Sequence, residues 1–156
     1  MGKPKHTGWD EHASAPANAR RHLPRAVAEY FARARRILAR NPPPPELHRL
    51  RLATKRLRYT LELFRPCYGP GLETRVAILR KVQGLLGDVN DSAVASRLIT
   101  ESMTASPDRD LVCRFLEERA SAKARDFHKQ WTEVFDAPGQ ERWWTTYLAR
   151  HTRSPK

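Results

Sequence analysis

Two cysteines, Cys67 and Cys113, are all the thiol chemistry that 156 residues offer. They show no CxxC spacing and no neighbouring histidine cluster. A disulfide framework and a structural zinc site are therefore poorly supported, and both cysteines read as small apolar residues. Acid is scarce against base: 17 Asp and Glu face 29 Lys and Arg, a net charge of +12. Such an imbalance argues against an acidic pocket as the main working surface and points to a polyanion: nucleic acid, polyphosphate or an anionic membrane. No apolar stretch approaches the ~20 residues of a membrane span, and the first twenty residues lack the apolar centre of a signal peptide. A soluble, cytoplasmic protein is expected. No alternating apolar run bounded by turn signals suggests a strand. With neither a nucleotide-binding glycine loop nor a carboxylate cluster for a metal, no enzyme activity, cofactor or metal site is expected.

What is abundant is arginine, 22 of the 29 basic residues. Its planar fork of donors grips phosphate oxygens in pairs, so the composition leans toward phosphate. The charge is also uneven. Residues 1–66 hold 15 Lys and Arg against 5 Asp and Glu, residues 67–106 hold 4 against 4, and residues 107–156 hold 10 against 8. Nearly all of the excess lies in the first segments, as one basic face requires.

The length suits one domain with its own core. Residues 1–15 mix Gly, Pro, His, Ser and charge without apolar period and are expected to be disordered or loosely ordered; residues 151–156 are expected to form a flexible tail. Between them, residues 16–150 read as an antiparallel helical bundle of four to six helices. The first begins near Pro24 with Val27, Tyr30, Phe31, Ala34 and Leu38 on one side, and ends at Asn41 before four prolines. The second runs from about Glu46 to Arg65. A third spans Leu72 to Leu86 with Gly87 as its stop. Asp88, Asn90 and Asp91 then read as caps of a fourth, in preference to a metal or acid/base cluster, although the two helices could stack as one bent rod. Ser106, Pro107 and Asp108 start a fifth, which carries Val112, Leu116, Ala120, Ala124, Phe127, Trp131 and Val134 and extends to about Phe135. A short last helix surrounds Trp143 and Trp144, and the tryptophans are expected in the core.

Turning each residue of the second helix by ~100° sorts it into faces. Leu47, Leu50, Thr54, Leu57, Leu61 and Phe64 form a core stripe. Beside it lie His48, Arg51, Lys55 and Arg58 in one ribbon about 15 Å long, with Glu62 placed to orient Arg58. Like charges at this spacing each weaken a helix by a few tenths of a kcal/mol, roughly, and a linear chain of phosphates would relieve them. The plainer reading is a solvated basic face, and for His48 an ordinary surface histidine. Arg49 and Arg56 sit on the other flank. Arg33, Arg36 and Arg40 of the first helix, with few acids near, extend the candidate surface.

The run from His48 to Phe64, HRLRLATKRLRYTLELF, resembles the signature of the CHAD family, the conserved histidine α-helical domain. The run from Leu79 to Asp91, LRKVQGLLGDVND, is similar to that family's second motif in its C-terminal repeat form. The resemblance implies an all-α bundle that binds inorganic polyphosphate through a basic surface, without a catalytic role; some members associate with polyphosphate granules. His48, Arg51, Lys55, Arg56 and Arg58 match the basic motif, and Arg80 and Lys81 match less specifically. The usual domain has two such repeats. With one motif here, a short single-repeat form is expected, one half of the two-bundle architecture, and two chains could pair about a twofold axis to rebuild the cleft. Leu52, Tyr59 and Leu63 are interface candidates, although contact with a second neighbour inside the bundle is the preferred account. Nonspecific nucleic-acid binding is the alternative function, and a phosphate-processing accessory a weaker one.

Overall fold

Apolar positions three and four residues apart become five α-helices among the residues that the computed structural model describes, 8–153. They are α1 (Ala15–Leu38), α2 (Pro44–Leu63), α3 (Pro70–Ser102), α4 (Pro107–Gln130) and α5 (Gln140–Arg150), and no strand occurs among the described residues. Each is packed antiparallel to its neighbour: α5 lies on α1, α1 on α2, α2 on α3, and α3 on α4. The core gathers Leu23, Val27 and Phe31 of α1, the Leu47 to Leu61 stripe of α2, and Leu72 to Val89 of α3. Trp131 closes it, with ring centroids 5.7 Å from Phe31 and 5.9 Å from Tyr30.

α1 begins nine residues ahead of the expected start at Pro24. Ser14 caps it, its hydroxyl accepting from the Ala17 N–H at 3.2 Å, and Pro16 sits in the first turn where its missing N–H costs nothing. The buried Asn18 side chain donates to the Asp10 and Ala13 carbonyls and accepts from the Asp10 N–H, so it ties residues 10–14 to the helix. Pro24 stands inside α1, flanked by buried Leu23 and Val27, whose packing outweighs one lost backbone bond. Of the loosely ordered termini expected at 1–15 and 151–156, residues 1–7 and 154–156 lie outside the described residues. At the other end, the Arg153 N–H donates to the Cys67 carbonyl at 2.7 Å.

The expected break at Gly87 does not occur. α3 is one helix of 33 residues, with Asp88, Asn90 and Asp91 in its middle instead of at a cap. Buried Val82, Leu86, Val89, Ser92 and Ser96 keep the helical spacing through the glycine, and their burial exceeds the roughly 1 kcal/mol that a mid-helix glycine costs. The helical run of α4 reaches Phe135 as expected, but it is α-helical only to Gln130. From Trp131 to Phe135 the chain widens into one π-turn, closed by the Asp136 N–H donating to the Trp131 carbonyl at 2.7 Å, which turns both aromatic side chains inward. Of the residues expected to form the apolar side of α4, Val112 and Val134 are exposed. Only Ala120 and Phe127 are buried within its 24 residues. Gly139, at φ 86°, starts α5 from the left-handed region that a side chain disfavours.

Two arginines hold the helices together. Arg35 of α1 bonds Asp136 through Nε at 2.9 Å and Nη2 at 2.6 Å, and pairs with Glu141 of α5 at 2.6 Å. These carboxylates hold its guanidinium well above the ordinary arginine value, against a smaller opposing effect of burial. Arg75, only 3% exposed, donates to the Gly71 and Trp143 carbonyls at 2.9 Å each, and its guanidinium lies 3.5 Å from the centre of the Trp143 ring and 3.8 Å from that of Tyr147. Burial pushes it down to about 10, so it remains a cation at neutral pH. Trp143 thus covers Arg75 at the surface, whereas Trp131 and Trp144 are core, as expected. Both cysteines are free: Cys67 is buried, which pushes its thiol up, and Cys113 is half-buried.

Candidate anion-binding site

The ribbon on α2 forms as its spacing predicts, along the seam with α3. His48, Arg51, Lys55 and Arg58 are all half-buried, beside a stripe in which Leu47, Leu50, Thr54, Leu57 and Leu61 are buried. Thr54 belongs in that stripe because its hydroxyl donates to the Leu50 carbonyl at 2.8 Å and accepts from the Tyr30 phenol, also at 2.8 Å.

At one end of the ribbon the cations are organised by carboxylate and amide. Arg58 donates from Nε to Gln83 Oε1 at 3.1 Å and from Nη1 to Glu62 Oε1 at 2.8 Å. Arg80 of α3 donates to the same Glu62 oxygen at 3.0 Å. Glu62 therefore orients two guanidinium groups from two helices, one more than its i, i+4 spacing indicates. Tyr59 flanks the ribbon, with Lys55 Nζ 5.6 Å and the Arg58 guanidinium 4.5 Å from its ring centre.

The other end is different. His48, Arg51 and Lys55 have no carboxylate within ion-pair distance among the described residues. His48 Nδ1 and Arg51 Nε are buried without a hydrogen-bond partner, as are His22 Nε2, Arg75 Nε, Arg109 Nε and Thr152 Oγ1 elsewhere among the described residues. Opposite them, Arg80, Gly84 and Gly87 follow one lane of α3 at spacings of four and three. A methyl group at Gly84 would meet nothing within 4 Å, and one at Gly87 would meet only Arg51 Nε at 3.7 Å. The two glycines keep this lane bare. The result is a track with donors along one wall and room along the other, suited to a chain of oxyanions.

The remaining candidates divide. Arg49 is exposed and bonded to Glu46 at 2.7 Å, outside the track. Lys81, exposed, is turned by ~100° from Arg80. Arg33, Arg36 and Arg56 line a separate groove between α1 and α2, and Arg40 lies beyond the end of α1. Leu52, Tyr59 and Leu63 are 42, 47 and 80% exposed, so among the described residues the second neighbour expected inside the bundle does not cover them. Gln83 and the glycine lane were the parts missed in the sequence. The spacing of Arg80, Gly84 and Gly87 was the signal for the lane, hidden because Gly87 reads equally well as a helix stop.

Among the described residues no helix is long and apolar enough to cross a membrane, and no three His, Cys, Asp or Glu side chains gather as a metal site. A protein-family model described as the CHAD domain matches residues 3–100. No curated protein and no solved structure matches the chain.

Proposed function

The chain belongs to the CHAD domain family, and from that premise we propose that it binds inorganic polyphosphate along the α2–α3 track, without catalysing its turnover. The observation that carries the reading is the half-buried run of His48, Arg51 and Lys55, free of carboxylates and facing the bare glycine lane. Arg58 and Arg80, already oriented by Glu62, extend the donors by one more turn. Successive phosphates have the linear form and regular charge that such a track takes, and no base edge need be read.

The test is a competition of long-chain polyphosphate against DNA and RNA at matched phosphate concentration and physiological salt. Polyphosphate is expected to win; preference for nucleic acid would overturn the reading. Affinity should fall as salt rises, through release of condensed counterions, and the log–log slope should shrink by about one for each cation removed. Arg51→Ala with Lys55→Ala should weaken binding roughly a hundredfold, at about 1.5 kcal/mol or more per charge-assisted contact, while the helical circular dichroism persists. Release of orthophosphate dependent on a divalent metal would contradict the non-catalytic reading.

The same proposal has two chains pair about a twofold axis to complete a cleft, and it places the protein in the cytoplasm, on polyphosphate granules. The exposed ridge of Leu52, Tyr59 and Leu63 supports the pairing, as apolar surface that α2 leaves uncovered. A strict monomer in light scattering, with and without polyphosphate, would remove it.

A further inference from the structure

The arginines of α1 fall into two classes. Arg35 is committed to Asp136 and Glu141, and Arg25 pairs with Glu29 at 3.3 Å. Arg33 and Arg36 have no carboxylate partner among the described residues, and neither has Arg56 of α2. These three line one groove of about 480 Å³ between α1 and α2. Its floor is Tyr30 and Leu57, and Ala26, Ala32 and Ala53 leave it open. The one acid on its lining, Glu29, is the partner of Arg25. Guanidinium groups three residues apart on a helix repel, and here a third converges on them from the neighbouring helix.

The groove is not a continuation of the α2–α3 track. Arg56 lies roughly 120° around α2 from the ribbon, and the exposed side chains of Leu52, Tyr59 and Leu63 stand between. A phosphate chain following the ribbon would have to cross that apolar ridge to reach Arg33 and Arg36. We propose that the α1–α2 groove is a second anion site that takes a phosphate segment of its own, so that one chain holds two strands of polyphosphate and bridges them. The identity of the ligand rests on the function proposed above; the independence of the site rests on the geometry of α2.

Calorimetric titration of the full chain with tripolyphosphate, together with light scattering on long-chain polyphosphate, tests this. Two equivalents per chain are expected. One should remain in Arg33→Gln with Arg36→Gln, and one in Arg51→Gln with Lys55→Gln, and each double variant should form smaller scattering assemblies than the unaltered chain. Arg36→Gln alone, at an exposed position, gives a variant with little effect on folding and should weaken the second equivalent at least tenfold. A single equivalent abolished by the ribbon variant would overturn the second site and leave the proposed function standing. A single equivalent abolished by the groove variant would overturn both the pair of sites and the role of the ribbon. No binding to the unaltered chain would remove the polyphosphate reading and this inference with it.

Discussion

Arg75 is the residue whose removal should be felt most in the fold. It is a buried cation without a carboxylate, held by two backbone carbonyls and two aromatic faces. Arg75→Met removes two charge-assisted hydrogen bonds to helix carbonyls and the stacking on both rings, and should destabilise the protein by about 2–4 kcal/mol in urea unfolding. Arg75→Lys should recover only part of this, because an ammonium has neither the fork for two carbonyls nor the flat face for stacking. Nothing in its sequence neighbourhood marks Arg75: it looks like one more basic residue, and its partner Trp143 is 68 positions away. The ribbon of α2 was legible for the opposite reason, since its members are three and four residues apart on a single helix. Residue type and spacing are read directly when the partners are local, and missed when a bundle brings them together from distant helices.

Among the elements, α3 shows what periodicity and punctuation each tell. The glycine signal predicted a stop at Gly87, yet the apolar spacing from Leu72 to Ser96 continued through it, and burial decided. Because a Cβ at Gly84 meets nothing, Gly84→Ala should add about 0.5–1 kcal/mol of stability, seen as a rise of about 1–4 °C in Tm. Gly139→Ala should do the reverse by about 1 kcal/mol, since its φ of 86° costs a side chain strain. The pair separates glycine kept for space from glycine kept for conformation, by thermal unfolding alone. The start of α1 was hidden for a further reason. Its cap at Ser14 and its anchor at Asn18 are polar, and apolar periodicity gives no weight to either.

At the scale of the whole molecule, alkaline unfolding should report the packing. Burial raises the phenols of Tyr30 and Tyr68 above their ordinary value of 10. The folded chain thus keeps two protons that the unfolded chain gives up, and the stability they contribute is full below about pH 10 and lost as pH climbs beyond it. Arg75 acts in the other sense: its folded value of about 10 lies below the ordinary arginine value, so its burial penalty is relieved above pH 10. Two phenols against one guanidinium leave a net loss. Their tyrosinate absorbance should therefore appear together with the loss of helical circular dichroism; ionisation of both within an intact bundle would contradict the burial described. The distribution of burial has one more consequence. With only Ala120 and Phe127 of α4 buried, its first three turns are held mainly by their own backbone bonds and by one side of α3. Hydrogen exchange should find a gradient there, with amides near Leu111 exchanging through small local openings and those near Phe127 only when the whole bundle opens.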